Sequence, residues 1–116
     1  MIRRGDVRLV DLEPARAGKA NKRRPAVVVS NDGANGAAVR WGVGVITIVP
    51  VTTSVDRVFD FQVLLPSAHT GLRHDSKAQA EQIRSVSVSR VGAKVGAVPG
   101  LLMESVDEAM RLHLGL

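Results

Sequence analysis

Two short polar groups flank apolar stretches in a way that suits phosphate chemistry. Arg24 stands directly before Pro25 and the apolar residues 26–29. Because proline biases the preceding residue toward extended backbone, the Arg24 side chain has a defined direction, and a guanidinium held in this way can form paired hydrogen bonds with a phosphate. Thr52 and Thr53 end another apolar stretch, and their hydroxyls can donate to phosphate oxygens. The alternative for Arg24 is an ordinary surface arginine. The alternative for Thr52 and Thr53 is a turn at the end of a strand, where threonine is common.

A third polar cluster, residues 75–85, carries side-chain amides. If this segment is a strand, Gln79, Glu81 and Ile83 share one face, and Gln82 lies on the other. The amide of Gln82 can then read the edge of a base or satisfy a buried backbone group.

The histidines do not form a metal-binding pattern. His69, His74 and His113 lack the paired spacing of helical zinc ligands, and the chain has no cysteine. We therefore predict no metal and no cofactor. Proton transfer by His69 and His74 in cleavage of RNA is a weaker alternative to ordinary solvated histidines.

The charge balance is the first indication of a partner. Sixteen Lys and Arg against eleven Asp and Glu give a net charge of +5. Basic proteins often bind nucleic acid because phosphate contacts release counterions, although many are merely basic. Only Trp41, Phe59 and Phe61 are aromatic, which argues against a sheet that stacks successive bases. Recognition of RNA would then depend on charge, hydrogen bonds and shape.

Length and composition predict one cytoplasmic domain spanning residues 1–116. A chain of 116 residues is too short for two cores, and a partner subunit would help to bury its surface. The absence of cysteine excludes disulfides and a thiol nucleophile. No apolar stretch is long enough for a transmembrane helix, and the first residues lack the apolar run of a signal peptide.

Hydrophobic periodicity predicts a mainly β fold, a small antiparallel barrel closed by a C-terminal helix. A flexible basic loop is expected at 13–24 and a hairpin turn at 31–36, where Gly33 and Gly36 lack the Lys-Ser/Thr of a phosphate loop. Helical spacing begins at Leu102 and ends before Gly115. Alternating or apolar runs predict strands at 7–12, 26–30, 39–51, 59–65, 78–88 and 94–98, with a loop at 66–76.

Taken in order, these segments resemble the MazF/PemK family of toxin endoribonucleases. No single segment is specific, but together they cover nearly the whole chain at the right length. The matching stretches are Arg3-Arg4-Gly5-Asp6-Val7, Asp11-Leu12 with Pro14, Arg24-Pro25-Ala26-Val27-Val28-Val29-Ser30-Asn31, Val49-Pro50-Val51-Thr52-Thr53-Ser54, Phe61-Gln62-Val63-Leu64-Leu65, Glu81-Gln82-Ile83-Arg84-Ser85 and Val95-Gly96.

The resemblance implies an SH3-like barrel that forms a homodimer, with single-stranded RNA in a groove across the dimer interface. It implies metal-independent cleavage by 2′-hydroxyl attack, leaving a 2′,3′-cyclic phosphate or 3′-phosphate and a 5′-hydroxyl. Arg24 and Thr52 take the catalytic positions. The partners implied are RNA and an acidic, MazE-like antitoxin whose disordered tail folds on the toxin. The side chains that we predict to bind RNA are Lys19, Asn21, Thr53, Phe59 and Gln82.

One position departs from the family pattern. Many members carry an acidic residue in the loop before the arginine, where this chain has Lys19. Lys19 cannot accept a proton as a carboxylate does, but its charge favours RNA. Two other functions stay open: a non-catalytic nucleic-acid-binding barrel, and a gyrase-poisoning toxin of the same fold that binds through its C-terminal helix.

Overall fold

The computed structural model of the protein describes residues 1–12 and 23–116. Two of the predicted RNA-binding residues, Lys19 and Asn21, lie outside the described residues. The helices are α1 (Asp32–Trp41), α2 (Ser67–Thr70) and α3 (Gly100–Leu114), with single 3₁₀ turns at Ala80–Gln82 and Val88–Arg90. The strands are β1 (Asp6–Asp11), β2 (Arg23–Val28), β3 (Val45–Thr52), β4 (Gln62–Leu65), β5 (Ser76–Gln79), β6 (Arg84–Ser87) and β7 (Val91–Ala97).

All paired strands run antiparallel, in the order β4-β5-β3-β2-β1-β7. Strand β3 is the hub of the sheet, since it pairs with β2 and β6 and, through its last two residues, with β5. The predicted mainly β fold with a C-terminal helix is confirmed. The arrangement is barrel-like, and its hydrogen-bonded path through the described strands is open, with β4 and β7 at its ends.

Both faces of the central strands are buried, as the apolar run after Pro25 predicts. Because side chains alternate along a strand, each strand contributes to two clusters. One face packs against α3 through Val7, Val27, Val49, Met103 and Val106. The other packs against α1 through Val10, Ala26, Val28, Ala38, Ile46 and Ile48. The two helices therefore complete the two halves of the core.

Helix α1 overturns the predicted hairpin turn at 31–36 and the first part of the predicted strand at 39–51. The Asn31 side chain accepts a hydrogen bond from the Ala34 N–H at 2.8 Å, which caps the first turn and offsets the two glycines inside the helix. Gly42 ends the helix in the left-handed conformation at φ 67°. The alternating Val39, Trp41, Val43 and Val45 are all exposed, so their spacing did not mark a buried face.

The later predictions hold in outline and differ at the boundaries. The strand predicted at 59–65 is only β4, and the one predicted at 78–88 is divided by a 3₁₀ turn into β5 and β6. The predicted loop at 66–76 contains α2. Helix α3 begins at Gly100, two residues before the predicted start at Leu102. It ends before Gly115, as predicted, and Gly115 has φ 71°. Within the described ranges, no helix is both long and apolar enough to cross a membrane.

A buried carboxylate ties the N-terminal segment to β1 and β7. Asp6 is 5% exposed, and its Oδ2 accepts hydrogen bonds from the Arg3 N–H at 3.1 Å and the Arg8 Nε–H at 3.0 Å. The Lys94 ammonium lies 3.4 Å from Oδ1. Burial opposes ionisation of this group, but the hydrogen bonds from Arg3, Arg8 and Lys94 outweigh it. The pKa of Asp6 therefore lies below its ordinary value of 3.8.

Replacing this carboxylate should remove stability that depends on pH. The depressed pKa stabilises the fold fully above pH 3.8, and that contribution disappears as the pH falls through the lower folded value. Asp6→Asn should lower the free energy of unfolding at neutral pH by about 1–3 kcal/mol, because Arg8 and Lys94 lose their charged partner. Urea unfolding at neutral and acidic pH measures this, and the difference between variant and wild type should shrink below pH 3.8. An unchanged difference at both pH values would contradict this assignment.

Candidate functional site

A cavity of about 400 Å³ opens where β1 and β3 end and β2 begins. It brings together three of the predicted site residues, Arg24, Thr52 and Gln82. Among the described residues, its lining consists of Leu12, Arg24, Pro50, Val51, Thr52, Gln79, Gln82 and Arg84.

The register between β2 and β3 explains why Arg24 and Thr52 meet. The paired section ends with Ala26 opposite Pro50. Arg24 precedes Ala26 by two residues and Thr52 follows Pro50 by two residues, so the same register sets Arg24 across from Thr52. Because side chains alternate between the two faces of a strand, both side chains lie on the same face as Ala26 and Pro50. The two strands are no longer paired at this point, and the cavity lies between them.

Arg24 presents an exposed guanidinium at this opening. The residue lies within β2, opposite Val10 of β1, and the next residue, Pro25, lies opposite Leu9. The extended backbone predicted before proline is therefore present. No carboxylate in the described part of the chain forms an ion pair with Arg24. A guanidinium at such an opening can bind an anion through paired hydrogen bonds.

Thr52 is the last residue of β3 and lies opposite Lys77 of β5. Its Oγ1 accepts a hydrogen bond from the Ser54 N–H at 3.2 Å. A threonine hydroxyl also carries one proton that it can donate. The bond to Ser54 therefore orients the oxygen while leaving its O–H for a ligand in the cavity.

The predicted strand face around Gln82 is wrong, because residues 80–82 form a 3₁₀ turn. Side chains three residues apart are eclipsed in this conformation, which places Gln79 and Gln82 on the same side. Both line the cavity. Glu81 instead accepts a hydrogen bond on Oε2 from the Gln62 amide at 2.6 Å.

Arg84 is a cavity residue that the sequence did not single out. It is exposed, and its Nη1–H donates to the Leu12 carbonyl at 3.2 Å, which links β6 to the end of β1. The signal available in the sequence was its place in the stretch 81–85, beside Gln82. With Arg24 it gives the cavity two guanidinium groups, and none of the described residues that line it carries a carboxylate.

Thr53 does not share this cavity. The alternation along β3 turns it to the opposite face, where it lines a second cavity of about 580 Å³ with Leu9, Pro25, Gly71, Leu72, Arg73, His74, Ser76 and Val95. Phe59 lies in the β3–β4 loop (residues 53–61) and lines neither cavity.

Neither of the two histidines considered for proton transfer lines the Arg24 cavity. His69 is exposed on α2, and His74 lines the second cavity. Among the residues that the structure describes, no group of three or more His, Cys, Asp or Glu side chains could hold a metal ion. The arginine cavity is therefore built from guanidinium, hydroxyl and amide groups, which together favour a phosphate-like anion.

The chain matches known proteins along its whole length. A family model described as PemK-like, MazF-like toxin of type II toxin-antitoxin system matches residues 3–114. A relative from Mycobacterium tuberculosis, named Endoribonuclease MazF9, is 54% identical over 116 residues, which span 100% of this chain and 98% of that protein.

Solved structures share the fold. The MazE-MazF structure (Form-II) from Deinococcus radiodurans has a TM-score of 0.78 and 26% identity, covering 99% of this chain and 96% of that chain. An endoribonuclease from a mycobacterial species, solved in complex with its cognate antitoxin, has a TM-score of 0.75 and 24% identity. The likeness covers 100% of this chain and 97% of that chain. At 24% identity the second likeness concerns the fold alone.

If the two guanidinium groups form an anion site, inorganic phosphate should stabilise the folded protein. Phosphate at about ten times its Kd should raise Tm by about 5 °C relative to chloride of equal ionic strength. Arg24→Gln and Arg84→Gln should each reduce this rise, whereas Arg40→Gln, an exposed arginine at the end of α1, should not. Thermal unfolding followed by circular dichroism measures the effect. An equal rise in all variants would show that phosphate acts elsewhere.

Proposed function

Because the chain belongs to the PemK-like, MazF-like toxin family of type II toxin-antitoxin systems, we propose that it is an endoribonuclease that cleaves single-stranded RNA at the Arg24 cavity. The single observation that carries the assignment of the site is the meeting of Arg24 and Thr52 in one cavity, beside a second arginine, Arg84. The relative that is 54% identical is named an endoribonuclease, which favours RNA cleavage over gyrase poisoning or passive binding of nucleic acid.

In the proposed reaction the RNA supplies its own nucleophile. The 2′-oxygen attacks the adjacent phosphorus and gives up its proton as the bond to the 5′-oxygen breaks. The 5′-oxygen takes up a proton, so the products are a 2′,3′-cyclic phosphate and a 5′-hydroxyl. Between attack by the 2′-oxygen and departure of the 5′-oxygen, negative charge builds up on the non-bridging phosphate oxygens. Hydrogen-bond donors already directed at these oxygens lower the activation free energy of cleavage.

Arg24 and Thr52 are the residues to which we assign stabilisation of this charge. The guanidinium can bind two phosphate oxygens in its planar fork, while the threonine O–H donates to a non-bridging oxygen. Their positions on facing strands support simultaneous contact with one phosphate. Arg84 adds a second positive charge at the same opening.

The amides of Gln79 and Gln82 supply a different kind of contact. Each can donate and accept a hydrogen bond, so either can bind a base edge beside the scissile phosphate. We assign base contact to Gln82, which is exposed on the 3₁₀ turn. The RNA contacts of Lys19 and Asn21 stay predictions. The RNA contact of Thr53 also stays a prediction, and this residue lines the second cavity, not the Arg24 cavity.

The proposed partners follow from charge and from the family. The net charge of +5 suits an acidic antitoxin as well as RNA. The structural neighbour from Deinococcus radiodurans pairs MazF with MazE, which supports a MazE-like antitoxin for this chain. We further propose a cytoplasmic homodimer whose subunits share the RNA groove.

Removal of the Arg24 guanidinium should abolish most turnover. Arg24→Ala should lower kcat on the order of 100-fold or more, since the charge that builds up on phosphate loses its main donor. A single-stranded RNA transcript cut in the presence of EDTA provides the assay, and circular dichroism checks the fold. Arg40→Ala is the matched control and should cleave like wild type. A variant that loses RNA binding but keeps kcat would contradict a role in the transition state.

The ends of the products test the proposed chemistry independently. Attack by the 2′-hydroxyl leaves 5′-hydroxyl ends, so T4 polynucleotide kinase should label the downstream fragments without prior phosphatase treatment. RNA carrying a 2′-deoxy nucleotide at the cut should not be cleaved at that bond. Cleavage that needs magnesium, or that leaves 5′-phosphates, would exclude this mechanism.

A further inference from the structure

A lysine lies in the middle of a buried strand, at a position where packing favours an apolar side chain. Lys77 of β5 is 8% exposed, between the buried residues Ser76 and Ala78. None of the ion pairs among the described residues includes it. Burying an ammonium group costs free energy that an apolar side chain of similar size does not cost. Packing within the sheet therefore does not explain a lysine at this position.

The Lys77 ammonium holds the β3–β4 loop (residues 53–61). Its Nζ donates a hydrogen bond to the Arg57 carbonyl at 2.6 Å. Arg57 is exposed and lies at the centre of this loop. Because the donor carries a charge, this hydrogen bond is stronger than one between neutral groups. The contact therefore anchors the backbone of a surface loop to a buried strand.

Lys77 is also paired with the residue from which the loop departs. It lies opposite Thr52, the last residue of β3, and opposite Leu64 of β4. Residues that lie opposite each other on antiparallel strands project from the same face, with Cβ atoms about 5 Å apart. The Lys77 side chain therefore starts beside Thr52 and ends at the Arg57 carbonyl. One side chain connects the end of β3 with the loop that follows it.

The orientation of the Thr52 hydroxyl depends on the first part of this loop. Thr52 Oγ1 accepts a hydrogen bond from the Ser54 N–H at 3.2 Å. Local bonds from a hydroxyl to the backbone two residues later are weak, and the threonine side chain has other staggered positions available. The bond forms only while the backbone turns back at Ser54. Since the anchored Arg57 carbonyl sets the path of the loop just after this turn, the anchor favours the turn that orients Thr52.

We propose that Lys77 is a positioning residue for Thr52, because its ammonium holds the β3–β4 loop in the path that keeps the Ser54 N–H on Thr52 Oγ1. The proposal rests on the proposed endoribonuclease function, in which the Thr52 O–H donates to a non-bridging phosphate oxygen. Lys77 itself does not line the Arg24 cavity, so its effect on the reaction passes through Thr52. Misplacement of a catalytic group by about 1 Å can cost about 100-fold in rate, which explains why a costly buried charge is kept here.

Removal of the ammonium should separate activity from stability. Lys77→Met keeps a long unbranched side chain and removes the charge. It should lower kcat about 10-fold and leave KM unchanged, because Thr52 acts on charge that develops in the transition state. The urea midpoint of unfolding should stay the same or rise, since a buried charge is lost. Steady-state cleavage of a fluorogenic single-stranded RNA and urea unfolding measure the two effects.

Lys94→Met is the matched control, with the opposite outcome expected. The Lys94 ammonium lies 3.4 Å from Asp6, so this variant should lower the urea midpoint and keep the wild-type kcat. Chemical rescue restores the missing group in place. Lys77→Cys, aminoethylated while unfolded and then refolded, carries an ammonium at nearly the original distance from the backbone and should recover most of kcat. The chain has no cysteine of its own, so the thiol chemistry is confined to this position.

A double-mutant cycle tests whether Lys77 acts through Thr52. Thr52→Val removes the hydroxyl and keeps the shape of the side chain. In this background Lys77→Met should lower kcat no further, because the group that it positions is already gone. In a Gln82→Ala background Lys77→Met should keep its effect of about 10-fold. A further loss of about 10-fold in the Thr52→Val background would show that Lys77 acts on the reaction by another route, and it would overturn the proposal.

Hydrogen exchange of the Ser54 N–H, followed by NMR, reports on the same contact in the absence of RNA. This exchange should be faster in Lys77→Met than in wild type, whereas Lys94→Met should match wild type. Unchanged exchange or unchanged kcat in Lys77→Met would overturn the proposal. A fall in the urea midpoint of Lys77→Met would also overturn it, since Lys77 would then be an ordinary structural residue. Faster Ser54 exchange in Lys77→Met, with no RNA cleavage by the wild type, would contradict the endoribonuclease function and not the anchoring of Thr52.

Discussion

The pairing register of β2 with β3 is the constraint on which the candidate site depends. It is fixed where Ala26 lies opposite Pro50, and its extension sets Arg24 and Thr52 across from each other on one face. A slip of one residue would turn one of these side chains to the opposite face. That face is occupied by Pro25 and Thr53, which line the second cavity. The burial of both faces of these strands makes such a slip costly.

The cores on the two sides hold the strand ends that carry the site. Helix α1 covers one face and α3 the other, and the residues of β2 and β3 that pack against them are apolar. Apart from Thr47 in the middle of β3, the polar side chains of these two strands lie at the ends that form the site, Arg23 and Arg24 on β2 and Thr52 on β3. The transition from core to site therefore takes place within two or three residues on each strand.

Charge is divided over the surface of the molecule. The described residues that line the Arg24 cavity include two arginines and no carboxylate, whereas four carboxylates and a single arginine, Arg111, line a groove of about 1010 Å³ between β4 and α3: Asp60, Glu104, Asp107 and Glu108. Phosphate is attracted to the first region and repelled from the second.

The sequence by itself determined the mainly β architecture and the C-terminal helix, and it singled out Arg24 and Thr52, which the structure brings into one cavity. These depend on local features: β-branched apolar runs, helical spacing, and a proline after an arginine. It did not determine α1, because Gly33 and Gly36 lower the helix preference of the segment. The helix is stabilised by burial of Ala38 and Asn35 and by the hydrogen bonds between Asn35 and Ser30. Nor did the sequence determine that Arg84 and Gln79 line the cavity with Arg24, or that Thr53 lines a different cavity. Those outcomes depend on strand register and on a 3₁₀ turn, which arise from contacts between residues distant in the chain.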